Sequence, residues 1–326
     1  MNLAILGAGY IAGTLARTVR LMNEAGNNKV KLTAVASRSL DKARDFARAR
    51  HIEKAYGSYE EMLRDPSIDA VYVATPHALH AEQMRMCIEH GKAVLCEKAF
   101  TGNLRQAEEV LNLAEQKAVL VTEAIWTRYQ PMRKIIQGLA FSGIIGEPRM
   151  IQANLCYLIS HKERIVKPEL AGGALLDVGI YPLNFAEMVF GPCDAQLGTA
   201  VLTDQGVDET DGIFLKWKDG KTASLSAGTT VLSDREGIIW GTGGFIRIEN
   251  VNNPQNAWVY NTDRQELQHV PCPVQLTGYE YEIDEFCQTF EAGKIECPSM
   301  PHADTLHVMR VMDDLRAQMG VKYPFD

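Results

Sequence analysis

The apolar positions change their period along the chain. Up to about Ala124, short β-branched and aliphatic runs alternate with stretches whose apolar residues recur at helical spacing, the order that builds a parallel sheet from βαβ units. Leu3–Leu6 predicts a first strand, Ile11–Met22 a helix, Val30–Ser37 a second strand and Asp41–Arg50 the next helix. Ser58, with Glu61 three residues on, forms a capping box for a short helix ending near Asp65 and Pro66. Ala70–Ala74 reads as a buried strand stopped by Pro76, and Leu79–His90 as a helix closed by Gly91. Ala93–Cys96 and Val119–Thr122 predict strands on either side of a helix over Leu104–Gln116.

Beyond Trp126 the rhythm lengthens. A helical stretch at Met132–Phe141 precedes alternating runs at Met150–Tyr157, Ala195–Thr203, Gly212–Lys218, Lys221–Thr229 and Phe245–Glu249, which predict an antiparallel sheet. Tyr279–Ala292 and Ala303–Gln318 predict two late helices, and the methionine and leucine stripe on the second, from Leu306 to Met319, is core packing. The chain therefore divides into an α/β, doubly wound domain over residues 1–124 and an α+β domain over 125–326. Its 326 residues and 46% hydrophobic content suit two globular cores.

A formal charge of -8, with no Lys/Arg-rich run, argues against nucleic acid and anionic membrane as partners. No apolar stretch reaches the ~18 residues of a membrane span, and a strand-like run already begins at Leu3, so a cytoplasmic location without a signal peptide is expected. Seven scattered cysteines without a C-x-x-C pair suggest neither a disulfide framework nor a zinc site.

Gly7-Ala8-Gly9-Tyr10-Ile11-Ala12 fits G-x-G-x-x-A between a strand and a helix, the setting in which the motif signals a dinucleotide. Gly7 permits the tight turn, Gly9 lets a pyrophosphate approach the helix N-terminus, and small Ala12 allows close packing. An NAD site usually ends strand two with an acid, whereas this strand ends Ala36-Ser37-Arg38-Ser39. Arg38 and the serine hydroxyls can surround a 2′-phosphate, which favours NADP over NAD. The alternative is Arg38 stacking on adenine in an enzyme that accepts both.

Thr75-Pro76-His77 follows the fourth strand at the carboxyl edge, where such folds hold the nicotinamide half. His77 and His80 have metal-like spacing, but no third ligand accompanies them, and a hydrogen-bonding role at a helix start is expected instead, with no metal. Glu97-Lys98 lies at the same edge, where a lysine can hold a substrate oxygen and the cofactor amide together; read alone, it would pass for a surface lysine.

At this point the chain resembles the glucose-fructose oxidoreductase/inositol dehydrogenase (Gfo/Idh/MocA) family over nearly its whole length. The matching segments are Gly7–Ala12, Thr75-Pro76 through His80, Gly91-Lys92 to Glu97-Lys98, and Ala171-Gly172-Gly173-Ala174-Leu175-Leu176-Asp177-Val178-Gly179-Ile180-Tyr181. Thr122–Pro131 together with Tyr181 is most similar to the branch of trans-dihydrobenzenediol dehydrogenases and NADP-dependent xylose dehydrogenases. The resemblance implies an open, mostly antiparallel second sheet with helices on one face and a partner subunit on the other, hence a homodimer or homotetramer. It also implies pocket walls at Trp126, Arg128 and Tyr157. Ala99 replaces the family's proline, so a trans Lys98–Ala99 peptide is expected. Tyr181 stands where inositol-type members have histidine.

These residues suggest a mechanism. Free tyrosine, with a pKa near ~10, is a weak base at neutral pH, and an ammonium from Lys98 would stabilise its phenolate. Tyr181 then takes the hydroxyl proton of a sugar, polyol or dihydrodiol while hydride moves to nicotinamide C4, with Asp177 orienting the substrate or tuning Lys98. Asp177 and Tyr181, four apart, would share one helical face. The rival readings are a non-catalytic NAD(P)-binding regulator or sensor of the same fold, and an imine or biliverdin-type reductase that would not need the Asp177–Tyr181 segment.

Overall fold

The computed structural model describes all 326 residues. They form two compact units, Met1–Trp126 with Gln275–Leu306, and Thr127–Val274 with His307–Asp326.

The first unit has six strands, β1 (Asn2–Leu6), β2 (Lys31–Ala36), β3 (Lys54–Tyr56), β4 (Ala70–Val73), β5 (Ala93–Glu97) and β6 (Val121–Ala124), all largely buried except half-buried β3. They lie all parallel in the order β3-β2-β1-β4-β5-β6, the doubly wound arrangement whose strand order reverses between β1 and β4. Helices Tyr10–Glu24, Leu40–Arg50, His80–Glu89 and Leu104–Lys117 connect them. Their starts are local chemistry. The Ser39 hydroxyl accepts from the Lys42 amide, the Asn103 side chain from the Gln106 amide, and Ser58 from the Glu61 amide as its capping box predicts. β3, too short to show a period, is the one strand of this sheet that the hydrophobic pattern did not predict.

Gln275–Leu306 also belongs to the first unit, although the sequence reading placed the whole of 125–326 in the second. Its helix, Glu280–Glu291, buries Ile283, Phe286 and Cys287, and the Asn27 amide donates to Asp284 Oδ1 at 2.8 Å. These contacts join residues more than 200 positions apart, which no local pattern reveals.

The second unit is built on eight strands, β7 (Pro148–Cys156), β8 (Ala195–Leu202), β9 (Asp208–Lys216), β10 (Thr222–Gly228), β11 (Gly237–Gly241), β12 (Gly244–Glu249), β13 (Asn256–Asn261) and β14 (Glu266–Pro271). Their order is β14-β13-β12-β11-β7-β10-β9-β8, antiparallel except for the β7–β10 pair. Helix Ile180–Phe190 packs on β7 and β10. Its apolar residues are buried all round, so it lacks the amphipathic stripe by which sequence patterns reveal helices. Along β8 and β9, alternate side chains Leu197, Val201 and Phe214 point to solvent.

Candidate active site

Within the first unit, the predicted cofactor residues follow the carboxyl ends of β1, β2, β4 and β5. Gly7 has φ +106°, and a Cβ there would sit 2.6 Å from the Ala74 carbonyl oxygen, so only glycine fits the turn. Gly9 is the N-cap of helix Tyr10–Glu24 without a side-chain cap, and a Cβ placed on it would meet nothing within 4 Å. Uncapped helix amides facing open space fit the pyrophosphate of a dinucleotide. Ala12 is fully buried and Tyr10 fully outward.

Ser37 is buried and Arg38 exposed at the end of β2, while the Ser39 hydroxyl is already engaged as a helix cap. Tyr59 adjoins Arg38, and burial holds its phenol above the usual range. The end of β2 therefore presents one exposed guanidinium and no carboxylate of its own.

His80 ties two loops together. Its Nε2 lies 2.8 Å from the Thr75 carbonyl oxygen and its Nδ1 2.9 Å from that of Ala99, and burial pushes the imidazole down. With both nitrogens occupied, it links the Thr75-Pro76 loop to the residue after Lys98 instead of pairing with His77 around a metal. Thr75 Oγ1 donates to Gln83 Oε1 at 2.5 Å.

Glu97 is buried and accepts from the Tyr72 hydroxyl and, at 3.2 Å, from the Lys98 amide. Lys98 itself is half-buried. Glu282, from the returning helix, is fully buried nearby; burial first, and then the charge of Glu97, hold its carboxyl well above the ordinary range. The Lys98–Ala99 peptide is cis, a correction to the trans geometry expected from alanine. The Ala99 carbonyl meets His80, and the Phe100 amide donates to Glu123 Oε1 at 3.0 Å. Both contacts hold the following Ala99–Phe100 peptide unit, so the chain just after Lys98 is fixed from two neighbouring elements.

The predicted pocket residue of this unit, Trp126, is buried and stacked on Tyr279 with centroids 4.1 Å apart and planes 9° from parallel. Tyr279 and Glu282 carried no motif, and Glu123 lies inside the Thr122–Pro131 match without a role assigned to it, so the sequence named none of the three as a site residue.

In the second unit, the Gly172-Gly173 turn leads into a continuous helical segment, a π turn at Leu175–Gly179 followed by Ile180–Phe190. Such π turns recur at functional sites. The segment places buried Asp177 and Tyr181 four residues apart. The Asp208 carboxylate accepts from the Leu175 amide at 2.5 Å and fills the space where a Gly173 Cβ would stand. Asp211 adjoins Asp208, and burial, reinforced by the Asp208 charge, pushes its carboxyl up to about 9.

Arg164 was missed by the sequence reading because it follows β7 in an unpatterned stretch. Its Nη1 donates to Asp177 Oδ1 at 2.5 Å. The neighbouring Ile165 is buried, and its carbonyl accepts from the Gly173 amide at 2.8 Å. Arg128 is buried, its Nε donating to Asn184 Oδ1 at 2.6 Å, while the Asn184 amide donates to the Ile180 carbonyl. Half-buried Tyr157 accepts at its hydroxyl from Asn252 at 3.2 Å.

Known proteins share both the sequence and the fold. Residues 1–125 match the GFO/IDH/MocA oxidoreductase family with its NAD-binding Rossmann fold, and residues 129–247 match that family's C-terminal domain. The chain is 36% identical over 301 residues to the trans-1,2-dihydrobenzene-1,2-diol dehydrogenase of Xenopus tropicalis, covering 90% of this chain and 91% of that protein. It is 30% identical over 329 residues to the human enzyme of the same name, covering 99% and 98%. Among solved structures, a 3-ketoreductase from Actinomadura kijaniata, crystallised with NADP and TDP-benzene, shares the fold with a TM-score of 0.88 and 24% identity over 99% of each chain. An aldose-aldose oxidoreductase from Caulobacter crescentus follows at 0.86 and 22%, over 98% and 97%. With both domain matches in register along one chain and an uncapped glycine turn at the head of the parallel sheet, this protein belongs to the GFO/IDH/MocA family of NAD(P)-binding oxidoreductases.

Proposed function

We propose that the protein is a dehydrogenase or reductase acting on a CH–OH carbon of a sugar, polyol or dihydrodiol, with NADP preferred and NAD a possible second cofactor. The observation that carries the NADP preference is the end of β2, where Arg38 is exposed and no acid stands. A guanidinium there complements a 2′-phosphate. The diol substrate class is supported by the name shared by the curated relatives.

Gly7, Gly9, Tyr10, Ile11 and Ala12 form the pyrophosphate turn, Ser37 and Arg38 face the adenosine ribose, and Thr75, Pro76, His80, Glu97 and Lys98 frame the nicotinamide end. When bound, the nicotinamide supplies the carbon that accepts or returns a hydride. In the oxidative direction Tyr181 takes the proton of the substrate hydroxyl, and the Lys98 ammonium stabilises the phenolate that does so. Glu97, bonded to the Lys98 amide, positions the lysine. Asp177 orients the substrate, and Trp126, Arg128 and Tyr157 contribute to its pocket. In the reductive direction Tyr181 returns the proton to the carbonyl oxygen.

The proposal of a homodimer or homotetramer is supported by the second sheet, whose outward Leu197, Val201 and Phe214 form the kind of apolar face that a partner subunit covers. A cytoplasmic location accords with a chain in which no helix is long and apolar enough to cross a membrane.

The test is absorbance at the NADPH wavelength with NADP or NAD against pentoses, hexoses, inositols, dihydrodiols and dicarbonyls. Turnover that disappears in Lys98→Met, with cofactor affinity retained, supports the dehydrogenase. Tight NADPH binding with no turnover on any substrate would favour a cofactor-binding regulator.

A further inference from the structure

Outside the residues assigned above, three chemically different donors converge in the second unit. Glu187 lies on helix Ile180–Phe190, Cys193 follows it after a turn, and His307 lies on helix His302–Met319. One ligand atom from each lies within 4.8 Å of the other two. The turn brings the cysteine back: Gly191, at φ +80°, donates its amide to the Glu187 carbonyl, and the Cys193 amide then donates to Glu187 Oε1 at 3.2 Å. His307 Nε2 lies 2.8 Å from the same oxygen. Glu187 and Cys193 are buried, while the His307 side chain keeps 21% of its surface exposed.

We propose that Glu187, Cys193 and His307 bind a borderline divalent cation of the zinc type, tying the two helices together. A thiolate, an imidazole and a carboxylate form the mixed donor set such ions take, and donors at ~2.0–2.3 Å from a common tetrahedral ion lie about 3.3–3.8 Å from one another. The observed cluster needs only a shift of about an ångström or less to close on such an ion. Hard cations such as magnesium, which prefer oxygen, are not suited to it. The sequence reading expected no metal because these ligands are separated by 6 and 114 positions, 187 to 193 and 193 to 307, and share no motif.

The experiment is titration of the full, chelator-stripped protein with cobalt(II), followed by zinc(II). The expected result is one equivalent bound, with a thiolate-to-cobalt charge-transfer band in the near ultraviolet that one equivalent of zinc removes. Cys193→Ser should abolish the band, and Cys272→Ser, which alters the least buried thiol, should retain it. His307→Gln keeps a donor toward Glu187 and so preserves the fold; it should weaken cobalt binding at least tenfold. Absence of the band in the unaltered protein, its survival in Cys193→Ser, its loss in Cys272→Ser, or unchanged affinity in His307→Gln would each overturn the proposal.

Discussion

Arg164 Nη1 donates to Asp177 Oδ1 across 2.5 Å, and this ion pair joins an exposed guanidinium to a buried carboxylate on the helical segment that also carries Tyr181. Losing a charged hydrogen-bond partner typically costs ~1.5–3 kcal/mol. Arg164→Met leaves the buried Asp177 carboxylate without this partner, so it should lower kcat/KM roughly 10-fold on the best substrate and lower the melting temperature by a few degrees, solvent partly screening the 40% exposed arginine. Steady-state kinetics with a melting curve checks both parts; unchanged kinetics would remove Asp177 orientation from the scheme.

Tyr181 is buried on the same segment. Tyr181→Phe removes only the proton-handling oxygen, so turnover should fall about 10²–10⁴-fold with the NADPH dissociation constant within a few-fold of the original. Fluorescence titration alongside turnover distinguishes this from misfolding.

Arg38 is exposed at the cofactor edge. Arg38→Ala should raise KM for NADP by about 10–100-fold, the worth of a charge-assisted contact with phosphate, and leave KM for NAD nearly unchanged. An equal rise for both cofactors would instead place Arg38 on the shared adenine.

Burial, together with Asp208, pushes the Asp211 carboxyl up to about 9 from an ordinary 3.8. Between those values the folded chain holds a proton that the unfolded chain has released, so stability is greatest below the unfolded pKa and declines as pH rises through the folded one. Asp211→Asn removes that decline. Its Tm should match the unaltered protein near pH 4 and exceed it increasingly towards pH 9; parallel curves across that range would refute the assignment.

Gly173 has φ +121°, and a Cβ there would lie 2.1 Å from Asp208 Oδ1. Gly173→Ala should destabilise the protein by about 3 kcal/mol or more, from backbone strain and overpacking together. Chemical denaturation measures it.

What the sequence determined by itself was local. The parallel sheet was legible from β1 to β6, apart from short β3, because its other strands are mostly apolar runs and the helices Leu40–Arg50 and Leu104–Lys117 begin with their own side-chain caps, within a few residues. Gly7 was legible for the same reason, since its φ of +106° is a local demand that glycine meets. Tertiary structure decided the rest. Helix Ile180–Phe190 was hidden by burial on every side, and β11, β13 and β14 acquire their pairing only within the sheet. The Ala99–Phe100 peptide unit just after the cis bond is held by His80 and Glu123, and Asp177 is met by Arg164 from the short helix Glu163–Val166. Gln275–Leu306 rejoins a unit that the chain had left more than a hundred residues earlier. In each case the determining contact comes from a residue distant in sequence, and its free energy exists only once the fold has brought the two together.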